Sequence, residues 1–143
     1  MPTDANQIEW LTEQLIIDYL QPSLTGIAIV HGFDSQTEIV LPSASVEVAS
    51  VDEAYTNTGI YIVKLQIQAL TSRYVDKDGS GVAALAGTIR AAMQQQHLNV
   101  ALTTLSTTAS IHGIKLATAK SLEDGDHRLW TQDVDLTLSP TKV

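Results

Sequence analysis

Apolar and polar residues alternate over the longest run between Gly59 and Thr71, GIYIVKLQIQALT. Tyr61, Val63, Leu65, Ile67 and Ala69 fall on one face, and Lys64, Gln66 and Gln68 on the other. A period of two is what a half-buried antiparallel strand requires, because successive side chains leave a pleated backbone on opposite sides. The first face is therefore assigned to a core. The second begins with Ile60 and Ile62 and then turns polar without being charged throughout, so it is expected to meet water or another subunit.

Elsewhere the period changes. Ile8, Leu11, Leu15 and Tyr19 recur at spacings of three and four, which predicts a helix capped by Thr3 or Asp4 and running to about Leu20. Trp10, Ile16, Ile17 and Leu20 widen its apolar stripe, so this helix docks in a deep groove of its own domain or is shared with a neighbouring chain. Pro22 lacks a backbone donor and stops it. The β-branched run from Thr25 to His31 predicts a first strand ending at Gly32, with a polar turn over Asp34 to Thr37. After Leu41 and Pro42, the alternation of Ala44, Val46 and Val48 predicts a second strand with Ser43, Ser45 and Glu47 facing out. Val51 to Thr58 has no strong period and reads as a long connecting loop.

Beyond the central strand, Asp76 to Gly81 reads as a turn into a helix whose buried stripe is Val82, Leu85, Ile89 and Met93, with alanines favouring helix between them. A shorter helix is expected over His97 to Leu105. Alternation returns from Ser110 to Lys120, with His112, Ile114, Leu116 and Thr118 opposite Ile111, Gly113, Lys115 and Ala117. An acidic turn at Glu123 to Asp126 leads to a last strand marked by Trp130, Val134, Leu136 and Leu138, so the final two strands form a hairpin. The order predicts one α+β domain over residues 1–143: a mostly antiparallel sheet of about five strands, with an N-terminal helix and one or two further helices packed on it.

Composition narrows the function. A chain of 143 residues buries roughly two-thirds of its unfolded surface without metals or bridges. There are no cysteines, which removes disulfide frameworks and thiolate metal sites. The net charge of -8 argues against a protein that grips nucleic acid by neutralising phosphates. Met1 to Leu20 carries Asp4, Glu9, Glu13 and Asp18 and no unbroken apolar core, so it reads as neither a signal peptide nor a membrane span, and a soluble protein is expected.

Candidate chemistry is sparse. Asp76-Lys77-Asp78-Gly79-Ser80-Gly81 looks like the first half of a calcium loop, with oxygens at alternate positions and glycine sixth. Its twelfth position is Gly87 where a bidentate Glu is needed, so a solvated turn is the preferred reading and a small-ligand or calcium-binding domain the alternative. His31, His97, His112 and His127 fall in separate elements without ligand spacing, and no serine sits in a nucleophile elbow. No metal, cofactor or catalytic residue is therefore assigned. Asp133 and Asp135 share one strand face, which is either solvated or, in a ring of subunits, an acidic lining that repels passing DNA.

With the closing hairpin in place, the chain resembles the tail-terminator (tail-completion, minor tail protein U-like) proteins of tailed bacteriophages. The likeness rests on the N-terminal helix, the proline-led strand from Leu41 to Val48, the long loop, the central strand and the helix from Gly81 to about Gln95. The acidic turn running into Arg128-Leu129-Trp130 and then Val134-Asp135-Leu136-Thr137-Leu138 completes it. The strand and turn over Thr25 to Thr37 are more generous than that pattern needs. The resemblance implies a non-enzymatic virion protein, assembled in the host cytoplasm, whose hexameric ring caps the tail tube, stops its polymerisation and offers a docking surface to the head or neck. Its expected partners are further copies of itself, the tail tube protein and a neck or connector protein, with DNA passing through unbound. By position, Lys64, Gln66 and Gln68 are candidates for subunit contact, and Asp52, Glu53, Tyr55 and Asn57 for contact with the tube or a neighbour. A stopper or head-completion protein of the same particle is the nearest rival.

Overall fold

A computed structural model describes residues 5–32, 41–54, 59–106 and 109–140. The helix α1 (Ala5–Leu20) is followed by a single 3-10 turn (Gln21–Ser23) and the short strand β1 (Ala28–Val30). Then come β2 (Ser43–Glu53), β3 (Tyr61–Ser72), α2 (Ser80–Met93), α3 (Leu98–Leu105), β4 (Ser110–Asp124) and β5 (His127–Ser139). The strands form a five-stranded sheet in the order β1-β2-β3-β5-β4. All neighbours are antiparallel except β1 and β2, which run parallel. The fold is α+β, as the order of periods predicted.

The long alternation of β3 does what its pattern requires. Val63, Leu65, Ile67 and Ala69 are buried in one core with Ala44 and Val46 of β2 and with Trp130, Val134, Leu136 and Leu138 of β5. Ile8, Ile16 and Leu20 of α1, Val82, Ile89 and Met93 of α2, and Leu98 and Leu102 of α3 close that core from the same side. Burying one of these aliphatic side chains stabilises the fold by about 1.5–3 kcal/mol. The helices therefore hold the sheet by one face, and the other face stays polar.

Tertiary packing alters several sequence expectations. In α1 the buried face includes Thr12, whereas Leu11 and Trp10 are exposed, so the stripe is rotated from the one that hydrophobicity alone selects. In α2 Ala86 is fully packed and Leu85 only half-buried, because close approach of helix to sheet favours the smaller side chain. Ser43 and Ser45 face away from the helices but are buried rather than solvated, Ser45 lying between Val30 of β1 and Gln68 of β3. Asp52 and Glu53 belong to the end of β2, paired with Ile62 and Tyr61, and not to a loop. Ala54 closes the hairpin by donating its N–H to the Ile60 carbonyl at 2.8 Å. Tyr55 and Asn57, the caps Thr3 and Asp4, and the turn at Asp34 to Thr37 lie outside the described residues.

In β4 the expected faces are reshuffled by two irregularities in register, between Ile111 and Gly113 and between Leu116 and Ala119. An inserted residue shifts every later side chain by one position of the pleat. Ile111, Ile114 and Leu116 thus all lie across from core residues, Leu138, Leu136 and Val134, although a strict alternation would separate Ile111 from the others. Gln132 sits on the core face at the second irregularity, only 2 % exposed. Its amide donates to the Asp133 carbonyl at 2.9 Å and reaches the Thr118 carbonyl of the bulged strand at 3.5 Å.

Candidate functional site: the polar face of the sheet

The register places the candidates in rows across the sheet. One row is Ser45, Gln68, Thr131 and Lys120; the next is Glu47, Gln66 and Asp133; the third is Ser50, Lys64, Asp135 and Lys115. Asp52, Ile62, Thr137 and Gly113 follow. The residues read separately as subunit contact and as bore lining are therefore one continuous surface. Glu47 and Lys115 join it, and only the strand order could reveal that, since neither is near the others in the chain.

A hydrogen-bonded line runs down this face. The Ser45 hydroxyl donates to Gln68 Oε1 at 3.4 Å, Gln68 Nε2 donates to Gln66 Oε1, and Gln66 Nε2 donates to Asp133 Oδ1 at 3.0 Å. Each carboxamide uses one end to accept and the other to donate, which fixes its orientation. Lys64 and Lys115 flank Asp135 as cross-strand neighbours. Four carboxylates, Glu47, Asp52, Asp133 and Asp135, stand on the face against the three lysines Lys64, Lys115 and Lys120. The surface is charged but nearly balanced, unlike the chain as a whole.

The calcium-like turn has a different occupation. Asp76 Oδ1 accepts the Gly81 N–H at 2.8 Å, and Oδ2 accepts the Val82 N–H at 2.9 Å and the Thr71 hydroxyl at 2.8 Å. Asp78 Oδ1 accepts the Ser80 N–H at 3.0 Å. These are the donors that a helix N-terminus leaves unpaired, so both aspartates cap α2 and their oxygens point at backbone rather than at a common centre. The hydrogen bond from Gly81, followed by those from Val82 and Thr71 and the nearby Arg128 charge, holds the Asp76 carboxyl below its usual range. Gly79 takes the left-handed conformation at the cap, φ 80°, and a Cβ on Gly81 would stand 3.0 Å from the Asp76 carboxyl carbon. The glycines that suggested an ion loop serve the cap.

Arg128, prominent in the sequence, ties this turn to the sheet. Its Nε donates to the Asp76 carbonyl and one terminal nitrogen to the Lys77 carbonyl, each at 2.7 Å, while the other meets Glu123 Oε1 at 3.0 Å. At the opposite side, His31 is bonded by Glu13 Oε1 at 2.9 Å and Gln14 Oε1 at 2.8 Å and stacks on Trp10 with ring centres 5.2 Å apart. Glu13 Oε2 also accepts the Val48 N–H at 2.8 Å, where the β2 register shifts. His112 bonds Ser139, and no three His, Asp or Glu side chains among the described residues converge on a possible metal position.

No family model matches the chain, and no curated protein matches it. Among solved structures, it is similar to a chain in the virion of a native gene transfer agent particle, with a TM-score of 0.50 and 16% identity. The match covers 95% of this chain and 98% of that one. At that identity the likeness is one of fold, and it spans the two chains almost end to end.

Proposed function

We propose that this protein is a structural component of a phage-like virion: a tail terminator whose copies close into a hexameric ring, cap the tail tube, stop its polymerisation and give the head or neck its docking surface. The observation that carries the reading is the near end-to-end likeness of fold to a chain of the gene transfer agent virion. The sequence resemblance to tail terminators points the same way. A site dominated by cross-strand carboxamides, with the tempting aspartates occupied as helix caps, supports a protein that assembles rather than one that catalyses.

The polar face is one surface, and we assign it as a whole to the bore, including Lys64, Gln66 and Gln68. A bore must let DNA pass without gripping it. Phosphate binding needs an excess of cations, whereas here the lysines stand among Asp133, Asp135, Glu47 and Asp52.

The test is the solution mass of the protein over a range of concentrations, by light scattering after gel filtration, repeated with tail tube protein. A closed oligomer of six copies, formed alone or on the tube, and tubes that stop growing when it is added are expected. A strict monomer that ignores tube protein would overturn the reading.

A further inference from the structure

We infer that His31 is a proton-operated latch: with both ring nitrogens protonated it ties α1 to the end of β1, and loss of one proton near neutral pH unfastens that corner of the sheet. The inference goes beyond the ring reading and stands without it, since every group involved belongs to a single copy.

Both neighbours of the His31 ring offer it oxygen. Nδ1 lies 2.9 Å from Glu13 Oε1, and Nε2 lies 2.8 Å from Gln14 Oε1. The Gln14 amide is set from its far end, where Nε2 donates to Asp18 Oδ1 at 2.8 Å. Turning that amide over would only move the mismatch, by facing its oxygen to the Asp18 carboxylate. A neutral imidazole carries one N–H and one lone pair, whereas the imidazolium donates from both nitrogens. Only the cation therefore satisfies Glu13 and Gln14 together, and the neutral ring sets a lone pair against an oxygen on one side or the other. Histidine is the side chain that makes this change between about pH 5 and about pH 8.

The surroundings suit a charged ring. The His31 side chain is 27% exposed and that of Glu13 13%, so the pair is mostly withdrawn from water. Trp10 stacks on the imidazole with planes 8° apart and centres 5.2 Å apart, and an aromatic face attracts a cation at that range. The charged groups set about this corner are acids. Glu13 has Glu9 one turn before it on α1, and Asp18 stands behind Gln14. Glu47 of β2 comes from the sheet, its carboxyl carbon 3.3 Å from where a Cβ on the next residue, Gly32, would stand.

The corner that His31 closes has a short ladder. β1 is three residues long, lies at the edge of the sheet and pairs through Ala28–Val30 with Ser43–Ser45. Glu13 is shared, because its second oxygen accepts the Val48 N–H at 2.8 Å. A carboxylate displaced from the ring therefore loosens its hold on that amide as well.

The test is hydrogen exchange read amide by amide in the full chain, at about pH 5.5 and about pH 8, corrected for the intrinsic pH dependence of exchange. Protection of the Val48 amide is expected to fall at least about tenfold over that interval relative to that of Ile67 at the centre of β3. No fall at Val48, or an equal fall at Ile67, overturns the inference. Asp18→Asn lets Gln14 turn either end to the ring, so it should keep Val48 protected at about pH 8. A loss as large as in the native protein would overturn the inference too. Thermal melts give an independent measure, because a bonus from the bound proton is present below the histidine range and lost above it. The native protein's advantage over His31→Gln should be at least about 3 °C larger at the lower pH than at the higher. An advantage that does not change with pH would make His31 a structural contact only and remove the latch.

Discussion

Gln66 on β3 and Asp133 on β5 are directly opposite one another and joined by a 3.0 Å hydrogen bond from amide to carboxylate. This pair links two candidate surfaces that are 67 residues apart in the chain. Both side chains are half-buried, so the bond is expected to be worth about 1 kcal/mol. A double-mutant cycle on Gln66→Ala and Asp133→Ala, followed by urea unfolding, should return a coupling of that size. Strict additivity of the two single changes would mean that the line of carboxamides does not act as a unit.

The cap on α2 makes an acid-side prediction. Asp76 has a folded pKa below its ordinary value of 3.8, so the charged form is favoured by folding. Its contribution is fully present above that ordinary value and is lost as pH falls through the lower, folded one. Thermal melts at descending pH should show this loss in the native protein, and Asp76→Asn should flatten it. An identical acid profile in both would remove Asp76 as the source.

Gly81→Ala probes the same cap by geometry. Alanine favours helix by about 1 kcal/mol over glycine, but its Cβ would stand 3.0 Å from the carboxyl carbon of Asp76, which three donors hold in place. Overpacking of this kind costs about 1–3 kcal/mol, so a net destabilisation of about 1 kcal/mol is expected in chemical denaturation. A stabilised variant would show that the cap yields freely.

Glu13 joins α1 to the sheet through both oxygens, to His31 and to the Val48 N–H. Removing it in Glu13→Ala leaves a half-buried donor without its partner, at about 1–3 kcal/mol. Glu13→Gln keeps an oxygen for Val48 and should lose less. Equal losses in the two variants, measured by urea unfolding, would assign the effect to charge alone.

Ile67 has no exposed surface at the centre of β3, beneath the helices. Ile67→Ala is expected to cost about 2–5 kcal/mol, whereas truncating its neighbour Gln66 on the other face should cost far less. Comparable losses from both would contradict a core on one side only.

Local periodicity determined much of this protein. The apolar alternation of β3, the existence of α1 and α2 and the closing hairpin were legible because burial on one face imposes a period of two on a strand and 3.6 on a helix, whereas the exact buried stripes, with Thr12 in and Leu11 out, were set by packing. The nature of the Asp76 turn was half legible: its glycines and carboxylates marked a turn into a helix, but only the hydrogen bonds from Gly81 and Val82 showed that the acids cap it. What the tertiary structure alone decided was everything that depends on which strands are neighbours. Placing β5 between β3 and β4 set Asp133 against Gln66 and Asp135 between Lys64 and Lys115, and the irregularities of β4 brought Ile111 and Ile114 to the same face. The parallel pairing of β1 was equally hidden. A strand's pattern records which of its faces is buried, not which strand lies beside it, and a surface assembled from several strands is written in the register between them.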